Sequence, residues 1–162
     1  MTMETIRITE ADLTHLRRAI ALARIACECG NAPFGATLVN RDGVTLLEAQ
    51  NTRVTDRDCT AHAEANLLRE ATRRFEPDVL ARCTVYASTE PCAMCAGAIF
   101  WSGVERVVFA LSNPRLYALA GDPPNQLRMR CADVLASGVR RVEVVGPAIE
   151  PEAQMVFEGY FV

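Results

Sequence analysis

The sequence predicts an α/β domain with a central sheet and helices on both faces. Three observations predict it. Helical and strand-like patterns alternate along the chain in the order α-β-β-α-β-α-β-α-β-α. The 162 residues are half apolar, enough to fill one core in one domain spanning 1–162. No stretch is repetitive or low in complexity, and none is long and apolar enough to span a bilayer.

Leu13, Leu16, Ile20, Ala23 and Cys27 recur at helical spacing, so Thr9 to Cys29 is the first predicted helix. Thr9 and Asp12 make a capping pair, with Asp where Glu or Gln is usual, and Gly30 is the stop. Gly35 to Val39 and Val44 to Glu48 flank Asn40-Arg41-Asp42-Gly43, whose Asp-Gly pair marks a hairpin. The polar stretch Asn51 to Cys59 leads to a second helix, Ala61 to Phe75, with Thr60 as its cap. Cys83 to Ser88 is β-branched and aromatic enough for a strand. Pro91 opens a third helix running to Trp101, at a position that tolerates proline. Arg106 to Ala110 is the next strand. Ser112 to Gln126 holds Pro114, Gly121, Pro123 and Pro124 and reads as loop. Leu127 to Ala136 predicts a helix, Arg141 to Val145 a strand, and Pro151 to Tyr160 a last helix.

Composition excludes some functions. The 17 basic residues are all arginine, against 20 acidic ones, for a net charge of −3. The pairs Arg17-Arg18, Arg73-Arg74 and Arg140-Arg141 are scattered, which weighs against nucleic acid as partner without excluding a folded basic patch. The absence of lysine excludes a lysine Schiff base and a GK[ST] phosphate loop. Met1 to Glu10 mixes acidic and polar groups and shows no signal peptide, so a cytoplasmic protein without membrane attachment is expected. The odd count of seven cysteines then argues against a disulfide framework.

Only two histidines exist, His15 and His62, so the search for a histidine-based site is short. His62, Cys92 and Cys95 are three good zinc ligands. Cys92 and Cys95, three apart, share a helix face in a first turn where the dipole favours thiolates. His62 stands near the start of another helix, so two helix starts can deliver three ligands to one point. Three protein ligands leave a fourth position for water. Two thiolates and a neutral imidazole bring Zn²⁺ to net zero, so that water is acidified less than beside three histidines, and a nearby base helps take its proton. Glu64 follows His62 by two residues and suits proton transfer from water to a ring nitrogen and then to a leaving amine.

His62-x-Glu64 followed by Pro91-Cys92-x-x-Cys95 matches the established signature of zinc nucleobase deaminases. A Cys-x-x-Cys alone is weak evidence. The competing readings are a structural zinc protein, for which Cys59 is the one candidate fourth ligand, and a catalytically silent binding module, against which Glu64 argues. Cys27, Cys29, Cys83 and Cys131 read as core, and His15 is given no role.

On these motifs the chain resembles the cytidine deaminase-like superfamily, in the branch of bacterial guanine deaminases, cytosine deaminases and tRNA adenosine deaminases. The similarity runs from about Leu13 to about Val145 and is densest at Ala32–Ala36, Thr60–Ala65 and Thr89–Trp101. The resemblance implies a three-layer α/β/α sandwich around a mixed five-stranded sheet, one zinc per chain and a homodimer. It implies His62, Cys92 and Cys95 as zinc ligands, Glu64 as proton shuttle and Asn51 as the residue that holds the base. Phe34 either stacks on a ring or belongs to the core, and backbone at Ala36 or Ala63 is placed to bond the ring edge. Trp101, in a Phe-Trp pair like that of guanine deaminases, either lines the pocket or packs at a helix end. In guanine deaminases the tail closes over the pocket, which implies a lid from about 146 to 162 with contacts from Glu158 and Tyr160, over its own pocket or a neighbour's.

The reaction implied is hydrolytic release of ammonia, with water, from a small heterocyclic base: guanine, cytosine, isocytosine or an amino-triazine. The negative charge and a C-terminus with Glu150, Glu152 and Glu158 but no basic residue favour a free base over RNA. Pro123-Pro124 departs from the guanine enzymes and puts guanine in doubt. The alternative is a tRNA adenosine deaminase acting at the wobble position.

Overall fold

The computed structural model describes residues 8–161. The reading of Met1 to Glu10 as free of a signal peptide falls largely outside them, as does Val162 of the tail. No helix among the described residues is long and apolar enough to cross a membrane.

Helix α1 (Glu10–Glu28) starts on the predicted capping pair: the Thr9 hydroxyl accepts from Asp12 N at 3.1 Å, and Asp12 Oδ2 accepts from Thr9 N at 2.9 Å. Strands β1 (Gly35–Val39) and β2 (Thr45–Gln50) form the hairpin. Its turn closes because Asn40 Oδ1 accepts from Asp42 N and Val44 N, and Gly43 takes φ +80°, where a β-carbon is unfavourable. Then come α2 (Ala63–Arg74), α3 (Pro77–Leu80), β3 (Thr84–Thr89), α4 (Ala93–Ser102) and β4 (Arg106–Leu111). The chain ends with α5 (Asn113–Leu119), α6 (Cys131–Ala136), β5 (Glu143–Val145), α7 (Glu150–Gln154) and a 3₁₀ turn over Met155–Phe157.

The sheet order is β2-β1-β3-β4-β5, with β1 antiparallel to both neighbours and β3, β4 and β5 mutually parallel. This is the expected mixed five-stranded sheet. Period-two alternation sends successive strand residues to opposite faces. Leu38, Val85 and Val107 pack under α2, α4 and α6, with Leu67, Ile99 and Leu135. Val39, Tyr86 and Val108 pack on the other face with Leu16 and Ile20 of α1 and Ala153 of α7. Two cores separated by one sheet make the three layers.

A polar tie binds α1 to the N-terminal ends of β4 and β5. Arg106 contacts Asp12 Oδ1 at 2.8 Å and Glu143 Oε2 at 2.6 Å, and the Tyr86 hydroxyl donates to Asp12 at 2.7 Å. Burial alone would raise the Asp12 pKa, but Arg106, Thr9 and Tyr86 outweigh it and hold the carboxyl well below its usual range. Burial, then Asp12, pushes the Tyr86 hydroxyl up to about 12.

Several element boundaries differ from expectation, each for a local reason. Thr60 does not cap α2; its hydroxyl donates to Asp58 and His62 takes the N-cap position. Pro91 lies two residues before α4, because Cys92 is the N-cap. Part of the predicted loop Ser112 to Gln126 is helix α5: Ser112 Oγ accepts from Arg115 N, and Pro114 sits in a first turn that needs no N–H from it. The helix predicted from Leu127 begins only at Cys131, whose N–H is bound by a buried carboxylate, Glu90. The last helix is shorter and tightens into the 3₁₀ turn before Gly159, at φ +73°. Cys83 and Cys131 are core, but Cys27 and Cys29 are exposed, because they lie past Ala26, where the buried stripe of α1 ends. His15 is not isolated; its ring lies 4.9 Å from that of Tyr86.

Candidate active site

Strand β3 ends at Thr89, and Glu90-Pro91-Cys92 carries the chain into α4. Cys92 is the N-cap and Cys95 the third helical residue, so both sulfurs project from one side of the first turn. Helix α2 packs against α4 and begins beside it, with His62 at its N-cap. His62 Nδ1 thereby comes 3.6 Å from Cys92 Sγ and 3.7 Å from Cys95 Sγ, and the three atoms lie within 4.8 Å of one another. A tetrahedral zinc with bonds of about 2.1 Å to nitrogen and 2.3 Å to sulfur separates such donors by roughly 3.6–3.8 Å. The donor set fits that ion. Cys59 does not join this group.

Electrostatics favour a cation at the same point. Cys92 is lowered to about 4, first by its hydrogen bond from Cys95, with His62 also assisting. Cys95 is pushed far up, first by Cys92 and then by burial, so without a cation the two sulfurs compete for ionisation. A bound dication lets both be thiolates, while the two helix N-termini contribute partial positive charge. The hydrogen bond to Cys92 raises His62.

Glu64, second residue of α2, is 6% exposed and lines the same hollow as His62 and Cys92. Burial, then the charge of Cys92, pushes its carboxyl up to about 7. The hollow is a cavity of about 510 Å³, the size of a small-molecule site. Asn51 and Phe34 line it, as do Tyr160 and Phe161 of the tail. Asn51 is buried at the start of a loop held by Asn31 and Asn66: Asn31 Oδ1 accepts from Val54 N and Thr55 N, and Asn66 Nδ2 donates to Gln50 O and Thr52 Oγ1. Phe34 lines the cavity, and its ring lies 5.6 Å from that of Phe157.

Four expected residues are not brought there. Ala36 and Ala63 are fully buried and do not line the cavity. Trp101, at the far end of α4, is 84% exposed and lies edge-on to Phe100 at 5.4 Å. Glu158 faces a separate surface hollow near Arg115, whereas Tyr160 and Phe161 after the turn line the cavity's edge while remaining exposed. Cys59 lines the cavity, but apart from the ligand group.

Other lining residues were missed, chief among them Glu90, Thr89, Asn113 and Gln126. Glu90 is 3% exposed; its Oε2 accepts from Asn113 N at 3.0 Å and its Oε1 from Cys131 N at 3.1 Å. One carboxylate thus anchors the starts of α5 and α6 and holds the intervening segment over the cavity. An acidic residue directly before Pro91-Cys92 was the only signal in the sequence.

Comparison with known proteins agrees with this geometry. The family model described as the cytidine and deoxycytidylate deaminase zinc-binding region matches residues 9–111. A probable cytosine deaminase of Schizosaccharomyces pombe is 41% identical over 162 residues, covering 98% of each chain. A guanine deaminase of Bacillus subtilis is 44% identical over 101 residues, covering 60% of this chain and 62% of that one. The solved guanine deaminase of Nitrosomonas europaea superposes with a TM-score of 0.79 at 24% identity, over 96% of this chain and 87% of that one, a likeness of fold.

Proposed function

The chain belongs to the cytidine and deoxycytidylate deaminase family, and from that premise we propose that it deaminates a free nucleobase, with an aminopyrimidine of the cytosine type as substrate. It is a zinc-family deaminase, a hydrolase of C–N bonds, and its His/Cys/Cys group fits one zinc per chain. One observation carries the free-base reading: Tyr160 and Phe161 of the tail line the same cavity as His62 and Glu64. A cavity walled in part by the chain's own tail admits a small ring more readily than a base embedded in RNA. The full-length similarity to a probable cytosine deaminase favours the pyrimidine.

In this proposal His62, Cys92 and Cys95 hold the metal. When bound, it supplies Lewis acidity that lowers the pKa of the attacking water. Glu64 moves two protons of the attacking water, the first to the ring nitrogen beside the reacting carbon and the second, from the hydroxyl then on that carbon, to the departing amine. A carboxyl near neutrality can do both, since it gains and loses a proton at similar cost. Asn51 Oδ1 already accepts from Arg53 N, so Asn51 Nδ2 is the donor left for a ring acceptor. Phe34 offers an aromatic face, and burial of the ring excludes bulk water.

The domain spanning 1–162 acts as one unit in this proposal, with the tail as lid. The homodimer belongs to the proposal too: Trp101, Leu127, Met129 and Val139 are exposed large apolar residues at or beside α4 and α6.

The test is ammonia release by zinc-loaded protein from cytosine, isocytosine, guanine, amino-triazines, adenine, cytidine and a tRNA anticodon stem-loop. Release from cytosine, reduced by Glu64→Ala at least about 100-fold with zinc retained, is the expected result. Release from the stem-loop alone would overturn the free-base reading, and full activity in Glu64→Ala would overturn the shuttle.

A further inference from the structure

Four buried side-chain polar atoms among the described residues have no hydrogen-bond partner in the protein: Thr37 Oγ1, Thr89 Oγ1, Asn113 Nδ2 and Gln126 Oε1. Three of the four belong to residues that line the cavity beside His62 and Glu64. Thr89 is 2% exposed and Asn113 6% exposed. A buried polar atom without a partner is costly, so such atoms gathered at one cavity point to a ligand that meets them.

The three come from different elements: Thr89 ends β3, Asn113 opens α5, and Gln126 lies between α5 and α6. The mount of Asn113 is firm. Glu90 holds the Asn113 backbone, and Glu150 Oε1 accepts from both the N–H and the hydroxyl of Ser112 next to it. Glu90 lines the cavity as well, but both its oxygens already accept backbone N–H groups, so it leaves the ligand to its neutral neighbours. Glu158 faces elsewhere.

An unpaired N–H donor, an unpaired carbonyl acceptor and a hydroxyl that can act as either complement a ring edge with a carbonyl next to an N–H. We propose that Asn113, Gln126 and Thr89 form a neutral subsite that reads a lactam edge of the substrate ring. Asn113 Nδ2 donates to the ring carbonyl oxygen, Gln126 Oε1 accepts from the ring N–H, and the Thr89 hydroxyl completes whichever bond remains. The subsite rests on the free-base reading of the cavity. It also sets a specificity rule: a ring nitrogen carrying a sugar or methyl group has no N–H for Gln126, so the nucleoside is rejected where the base is bound.

Binding tests this apart from turnover. Cytosine, 4-aminopyrimidine, which lacks both the carbonyl and the adjacent N–H, and 1-methylcytosine, which keeps the carbonyl but lacks the N–H, are titrated by calorimetry into zinc-loaded Glu64→Ala protein. Cytosine is expected to bind at least about tenfold tighter than either analogue. Asn113→Leu narrows the preference over 4-aminopyrimidine and leaves that over 1-methylcytosine, Gln126→Leu abolishes the preference over 1-methylcytosine, and 4-aminopyrimidine binds both variants as before. Asn113→Asp, which swaps Nδ2 for oxygen at nearly constant shape, gives the same result as Asn113→Leu if the latter does not fold. Equal binding of all three rings, an unchanged preference over 4-aminopyrimidine in Asn113→Leu, an unchanged preference over 1-methylcytosine in Gln126→Leu, or a parallel weakening of all three ligands would overturn the subsite. Failure of the free-base reading shows separately, as wild-type protein that releases no ammonia from any base.

Discussion

Gly35 of β1 lies so close to Ala19 of α1 that a β-carbon on it would stand 2.3 Å from the Ala19 carbonyl oxygen, and 2.6 Å from Leu22 Cβ. The glycine of Pro33-Phe34-Gly35-Ala36 is therefore a packing requirement, letting α1 rest on the sheet and leaving Phe34 at the cavity. Gly35→Ala forces two backbones apart. It is expected to destabilise the domain by about 1–3 kcal/mol or more, read as a lower urea midpoint at unchanged slope.

The Asp12–Arg106 contact makes stability depend on pH in a set direction. The folded-state pKa of Asp12 is depressed, so its contribution is fully present above the usual carboxylate value of about 3.9 and is lost as pH falls from there toward the depressed value. Asp12→Asn leaves Arg106 with one carboxylate partner and is expected to cost about 3 kcal/mol at pH 7. The gap between wild type and variant should narrow below about pH 4. Urea titrations at pH 7, 5 and 3 measure it, and a gap independent of pH would contradict the assignment.

Metal removal has two readouts. One zinc per chain is expected by elemental analysis, and Cys92→Ser, Cys95→Ser and His62→Ala should each lose it. Because the metal binds the folded chain, a chelator should lower the melting temperature as well as end ammonia release. Stoichiometric zinc in Cys59→Ser would keep Cys59 outside the ligand set.

The tail makes a prediction about binding. Tyr160 and Phe161 line the cavity, and Phe161 stacks on Phe157 with centroids 5.5 Å apart. Phe161→Ala should raise KM for the base roughly tenfold through lost apolar burial, with a smaller change in kcat. Glu158→Gln should leave both parameters near wild type. The opposite pattern would mean that the acidic group, not the aromatic pair, closes the site.

Much of this was legible in one dimension. The Thr9–Asp12 cap, the Asp42-Gly43 hairpin and the alternating strand residues are local rules, settled by neighbours within a few positions, and all three appear in the fold. His62, Cys92 and Cys95 were legible because a metal demands particular atoms, and helix starts at both motifs bring those atoms together. Helix α5 was hidden because prolines read as loop, although Ser112 caps it and Pro114 sits where its missing N–H is harmless.

By itself the sequence determined the α/β class, through local periodicity, and picked out His62, Cys92, Cys95 and Glu64, through a known short motif. Only the tertiary structure decided the rest of the cavity wall. Glu90 joins α5 to α6 across residues distant in the chain, the tail places Tyr160 and Phe161 but not Glu158 along the cavity's edge, and Trp101 falls at the solvent end of α4. Thr89, Asn113 and Gln126 meet at one cavity only because the chain passes it three times. Such convergence of distant segments leaves no spacing for a sequence pattern to record.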